Sequence, residues 1–322
     1  MKLPHAFIQL PLAFDAERLA GEVAALGEAV WRPHPQGFPG NSMAPLIAAE
    51  GDPNNESFAG RMLATPHLKA CEYLWQTLDA MGVVLGRTRL MRLDGNAEVT
   101  AHADQGYYWT DRVRIHVPIV TKPDVRFICG DAEVHMAPGE CWIFDTWRIH
   151  RVINGPEVSR IHLVADTVGG ERFWQLVDQG QAHPIATGGN WTPRTAPFQA
   201  GARPPLALET TNVPDVMTPW EIDTRLRFLL GEASDHPNKE RLAKLAADFV
   251  RDWRCLWAHH GTDAGGKGSY RARRDAFAAA AGPLASPVKL KNEINLFGAI
   301  LAAVCNVAIG ADMPVQGRRA TG

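Results

Sequence analysis

The chain of 322 residues carries 33 basic and 35 acidic side chains, a formal charge of −2, so no field favours nucleic acid or an anionic membrane. With 46% hydrophobic residues it is long enough to bury a large core, and one domain of about 170–190 residues plus a smaller one is expected. Cys71, Cys129, Cys141, Cys255 and Cys305 are scattered without a pairing pattern, and His5, Gln9 and Asp15 interrupt the apolar N-terminus. Reduced thiols, no signal peptide and a cytoplasmic protein are the expectations.

In chain order, residues 5–12 read as a strand, and Asp15 caps a helix to Leu26 whose stripe is Leu19, Val23 and Leu26. Residues 31–57, rich in Pro, Gly and Asn, predict a long loop that acts as a lid or binds substrate, with Ser42 in Gly40–Met43 as the candidate contact. Pro66 opens a second helix to Leu78. Val83–Leu93 is strand-like; Arg87 and Arg89 share a face, read as solvated in preference to a site for a substrate carboxylate. A turn at Asp94–Asn96 leads into a strand over 97–104. Tyr107, Tyr108 and Trp109 then offer a wall for a substrate, or plain loop packing. Further short strands at 112–120, 125–129, 132–136 and around Trp142–Phe144, separated by Gly/Pro turns, argue for an all-β barrel or jelly roll. Asp145 is expected to tie down the loop that follows it by accepting backbone donors.

Beyond Asp166 the character changes. A Pro/Gly-rich stretch over 180–220 reads as a linker or strap, and helices are expected at 219–230, 237–257, 276–281 and 290–309. The domain expectation is 1–175, a linker over 176–218, and a helical region over 219–322. The apolar core of the last helix, 296–305, is too short to cross a bilayer. Two uses remain for these C-terminal helices: closing over a site, or making a homodimer contact.

The chemistry concentrates between residues 102 and 166. His102 and Asp104 stand two apart on one strand face, as do Arg114 and His116. His102, Asp104 and His150 are suitable ligands for one divalent metal, and two imidazoles with one carboxylate leave half an octahedron open. Such an open face suits a non-haem Fe(II) that takes a chelating cosubstrate and then dioxygen. In the strand ending at Asp166, Ile161, Leu163 and Ala165 alternate with Arg160, His162 and Val164, which sets Arg160 on an inward mixed face. A buried guanidinium there asks for an anion, and its planar fork suits a carboxylate.

His102-Ala-Asp104, Arg112-Val-Arg114-Ile-His116-Val-Pro118, Gly139–Asp145, His150, Asn154, Arg160 and Asp166 together resemble the aspartyl/asparaginyl β-hydroxylase-like family of Fe(II)/2-oxoglutarate-dependent dioxygenases. The resemblance implies a mainly β fold: a double-stranded β-helix (jelly roll, cupin-like) with flanking helices and a helical C-terminal region. It assigns His102, Asp104 and His150 to Fe(II), Arg160 to the far carboxylate of 2-oxoglutarate, and Arg114 with His116 to the cosubstrate pocket. Because Asp104 keeps the acidic ligand, the chain looks nearer the bacterial small-molecule branch, similar to the proline cis-4-hydroxylases. The first expectation is therefore hydroxylation of an unactivated carbon in a free amino acid or small derivative, with 2-oxoglutarate converted to succinate. The alternatives are a peptide or protein side chain as substrate, and a non-catalytic cupin-like metal-binding module.

Overall fold

A computed structural model describes all residues except 36, 157–158, 184–190 and 313–322. Its elements begin with β1 (Phe7–Ala13), α1 (Ala16–Ala25), β2 (Arg32–Pro33), β3 (Asn41–Ala49), β4 (Met62–Ala64), α2 (Pro66–Lys69) and α3 (Glu72–Ala80). Then come β5 (Val84–Leu93), β6 (Glu98–His102), α4 (Tyr107–Thr110), β7 (Val113–Val120), β8 (Arg126–Cys129), β9 (Ala132–Val134) and β10 (Glu140–Phe144). β11 (His150–Ile153), β12 (Arg160–Gly169), α5 (Glu171–Asp178), β13 (Gln181–His183) and β14 (Arg194–Thr195) follow. The helices α6 (Pro219–Glu232), α7 (Lys239–His260), α8 (Lys267–Ala285) and α9 (Leu296–Ile300) complete the order. The chain forms two compact units, one built on Met1–Ala103 and Asp111–Asn212, the other on Asp104–Thr110 and Val213–Val315. Among the described residues no helix is long and apolar enough to cross a membrane.

In the first unit a ten-stranded sheet runs β13-β1-β10-β7-β12-β5-β3-β2, with β14 added beside β1 and β4 beside β3. A separate four-stranded sheet runs β6-β11-β8-β9. The expectation of a mainly β jelly roll is corrected here. Both sheets are open and almost wholly antiparallel, helices flank them in a mixed α/β fold, and no pairing among the described residues closes a barrel. Alternation along each strand says which face is buried, but not which edges join, so open and closed arrangements of the same strands read alike.

The cross-strand registers sort the large sheet into two faces. Ile8, Ile143, Ile115, Leu163, Ala165, Leu90 and Ala44 point to one side and join the core that includes Leu19 of α1 and Leu74 of α3. The other side carries Phe7, Phe144, Arg114, His116, Asp166, His162, Arg160, Arg89 and Met43. Phe7, Phe144, Trp142 and Leu93 from this second face pack with Phe127, Cys129 and Val152 of the small sheet in one apolar cluster. At the turn into β10, Gly139 has φ +81°, and any Cβ there would collide with the Phe14 carbonyl.

Two further expectations change. The loop predicted over 31–57 contains β3, a buried strand between β5 on one side and β2 and β4 on the other. Its Pro45 and small residues hide it from a propensity reading; the ladder accommodates the proline at a bulge before Ile47. The solvated face expected for Arg87 and Arg89 is also overturned, since these side chains are 8% and 4% exposed. Of the expected linker, residues 184–190 lie outside the described residues, while Arg194 and Thr195 pair with β1, and Glu209 bonds to Leu85 and Met62 through its backbone.

In the second unit Phe249 of α7 stacks on Phe277 of α8 at 4.2 Å, and the Trp253 indole donates to the Met217 carbonyl. α8 is longer than predicted and continues through Pro283. The helix expected over 290–309 starts only at Leu296, where Asn295 caps it, and passes into a π-helical turn over Leu301–Cys305.

Candidate metal centre

β6 and β11 are hydrogen-bonded neighbours, and their register sets His150 opposite His102. Facing residues of an antiparallel pair share a face, and the two imidazole centroids lie 4.3 Å apart. Asp104 follows by two residues, and ligand atoms of the three side chains all lie within 4.8 Å of one another. Nδ1 of His102 donates to the Thr100 carbonyl at 2.7 Å, and Nδ1 of His150 to the Arg148 carbonyl at 2.9 Å. A carbonyl only accepts, so Nδ1 carries the proton in both rings and Nε2 is the basic nitrogen. Two such nitrogens and a carboxylate make a 2-His-1-carboxylate set, whose chemistry fits a first-row ion such as Fe(II) better than the oxygen-seeking Mg²⁺ or Ca²⁺.

The carbonyl that orients His150 is itself fixed. Asp145, with no exposed surface, accepts from the Trp147 backbone N–H and from Arg148 Nε, each at 3.0 Å. Burial raises the Asp145 pKa, against the opposing pull of Arg148 and the backbone donors of Trp147 and Leu3. This is the anchoring expected of Asp145. Phe144 and Phe127 stand beside the His150 ring at 4.8 and 6.4 Å, and both also meet His116 at 5.4 Å.

Arg160 is 3% exposed, and its Nη2 lies 2.6 Å from His162 Nδ1. Burial, then the charges of Arg160 and His116, hold His162 well below the ordinary imidazole range, so its Nδ1 accepts from the guanidinium. His116 Nδ1 is 3.3 Å from the same nitrogen. Among the described residues Arg160 meets no carboxylate and its Nε has no hydrogen-bond partner; burial lowers its pKa to about 9. Arg114 differs: its Nε meets Asp166 Oδ1 at 3.2 Å, and Arg87 Nε lies 3.7 Å from the other oxygen.

The remaining candidates make contacts of their own. Tyr107, Tyr108 and Trp109 form the single turn α4, where Arg225 lies over the Tyr107 ring at 4.2 Å and bonds to its carbonyl. Ser42 accepts from Arg92 Nε at 3.0 Å and lines a surface cavity of about 460 Å³ with Trp31 and Asp94. By strand alternation Ser42 and Arg92 lie on the sheet face opposite Met43, Arg89 and Arg160. Sequence reasoning undervalued Arg89 and left His162, Phe127 and Phe144 without a role. The available signal was the recurrence of polar pairs two residues apart in three strands: 87 and 89, 114 and 116, 160 and 162.

Residues 58–169 match the family model for aspartyl/asparaginyl beta-hydroxylase. No match was found among curated proteins. Similar solved structures include a 2OG-Fe(II) oxygenase family oxidoreductase from Burkholderia pseudomallei, at 17% identity over 52% of this chain and 87% of that one, TM-score 0.38. A prolyl-4-hydroxylase from Pseudomonas putida is 15% identical over 51% of this chain and 92% of its own, TM-score 0.36. HygX from Streptomyces hygroscopicus, solved with nickel and 2-oxoglutarate, is 11% identical over 52% and 84%, TM-score 0.36. The matched stretch, residues 58–169, contains His102, Asp104 and His150, so the part of the chain that is similar to the aspartyl/asparaginyl beta-hydroxylases is the part that carries the candidate metal cluster.

Proposed function

We propose that the chain is an Fe(II)/2-oxoglutarate-dependent hydroxylase that oxidises a C–H of an aspartyl or asparaginyl side chain in a peptide or protein. The convergence of His102, Asp104 and His150, with both Nδ1 atoms pinned to carbonyls, carries the reading. The family match supports the substrate class. His102, Asp104 and His150 would hold the ion and, as three protein ligands, would leave positions for 2-oxoglutarate. Arg160, aimed by neutral His162, receives the distal carboxylate of 2-oxoglutarate, and His116 lines the same pocket. Phe127 and Phe144 keep water from the His150 side. The bound Fe(II)–2-oxoglutarate pair supplies the oxidation: dioxygen is consumed, 2-oxoglutarate yields carbon dioxide and succinate, and one oxygen atom converts a substrate C–H to C–OH.

A free amino acid is the second reading, favoured by one observation: the cluster contains a carboxylate ligand, Asp104. Succinate release separates the two when measured with Asp- and Asn-containing peptides, with free amino acids and with no substrate. Peptide-stimulated release, with one oxygen atom added to the peptide, supports the first reading; stimulation by free amino acids alone replaces it with the second. If His150→Ala releases succinate as the wild type does, neither stands.

A further inference from the structure

Arg89 takes no part in the chemistry above, yet it is among the most buried cations in the protein, at 4% exposure. Its Nη1 reaches the Met43 sulfur at 3.6 Å, a weak acceptor, and its Nε has no hydrogen-bond partner among the described residues. The carboxylates whose charge reaches it are Asp166 and Glu56. Asp166 is shared by Arg114 and Arg87, and Glu56 is bound by Arg32. A guanidinium so desolvated is costly unless an anion meets it, and burial lowers its pKa to about 9.

The position of Arg89 separates it from the cosubstrate arginine. Leu93 pairs with Arg160, and Arg89 lies four residues back along the same strand and face. At about 3.4 Å per residue the two arginines stand roughly 14 Å apart along the sheet. His34, in the segment between β2 and β3, reports what surrounds Arg89. Burial first, then the charges of Arg89, Arg87, Arg114 and His102, hold its pKa down to about 3. One side chain thus feels both the β5 arginines and a metal ligand.

We propose that Arg89 anchors a second anion subsite, which takes a free carboxylate of the primary substrate while Arg160 serves 2-oxoglutarate. The substrate class narrows accordingly to acids: an aspartyl side chain or an amino acid's own carboxylate, in preference to a neutral asparaginyl amide. The assignment to a primary substrate rests on the hydroxylase reading; the anion site itself does not.

Calorimetry on the full chain, loaded with Zn(II) and saturated with 2-oxoglutarate, tests it. The probes are L-aspartate and acetyl-aspartyl amide, with acetyl-asparaginyl amide as the neutral control. At least one carboxylate probe should bind, and Arg89→Met should weaken it by about tenfold or more. Arg89→Lys keeps the charge but loses the fork and should fall between, which carries the test if Arg89→Met does not fold. Arg160→Met should change probe affinity by less than about threefold while weakening 2-oxoglutarate, because the two sites are well separated. Equal affinity in the Arg89 variants and wild type, equal binding of the neutral amide, or no binding of either carboxylate overturns the subsite. Failure of the hydroxylase reading shows separately, as absent heat from 2-oxoglutarate and absent succinate release in the wild type.

Discussion

The two faces of the ten-stranded sheet come from alternate residues of the same strands, yet they obey different rules. One is apolar where it is covered, with Ile115, Leu163 and Leu90 packed with α1 and α3 and polar Ser42 and Arg92 only toward the β2 edge, and hydrophobic burial accounts for it. The other buries Arg89, Arg160, His116 and His162, an arrangement that burial disfavours and packing does not repay. Arg112, just before β7, sharpens the contrast. It is as buried as Arg160, but Glu209 grips it with two hydrogen bonds of 2.8 and 3.0 Å. A buried arginine closed by its own chain is a structural cross-link; one left without a carboxylate of its own is fitted for a ligand.

That contrast predicts different responses to mutation. Glu209→Gln strands the Arg112 charge and should cost about 3–5 kcal/mol in urea unfolding. Leu163→Ala, on the apolar face, should cost about 2–5 kcal/mol. Arg160→Met should cost less than Glu209→Gln, since it removes a desolvated cation and leaves unpaired only the neutral His162 Nδ1, not a charge; a loss as large as that of Glu209→Gln would erase the distinction. Asp145→Asn should lower metal affinity by about 10–100-fold, measured by competition with a chelator, because Arg148 and through it His150 lose their anchor. A further effect concerns pH. His34 is held neutral in the fold, with a pKa of about 3 against an ordinary 6.5, so the unfolded chain binds the extra proton. Its contribution is complete above about 6.5 and is lost as pH falls toward about 3; His34→Gln should flatten that part of the stability profile.

The ligand set was legible because its grammar is local: His102 and Asp104 share a strand face by spacing alone, and Arg160 stands out as a charge on the mixed face of a strand whose other face is Ile161, Leu163 and Ala165. Asp145 was legible as an acid at the head of the loop that carries His150, and it does accept a backbone N–H there, from Trp147. What escaped depends on contacts distant in sequence. Glu209 reaches Arg112 across 97 residues, and nothing near either announces the pair. Arg87 and Arg89 looked solvated because β3, their neighbour, was itself hidden by Pro45 and its small residues. The open edges of the two sheets likewise follow from which strands pair, a matter that alternation leaves undetermined.

The central claim is that two imidazoles and one carboxylate hold one ferrous ion with room for a chelating keto acid. An anaerobic titration with Fe(II) and 2-oxoglutarate, followed by visible absorption, tests it most directly. The account predicts a weak charge-transfer band that saturates at one iron per chain in the wild type and is absent in His102→Ala and His150→Ala. No band in the wild type, or an undiminished band in either variant, contradicts it.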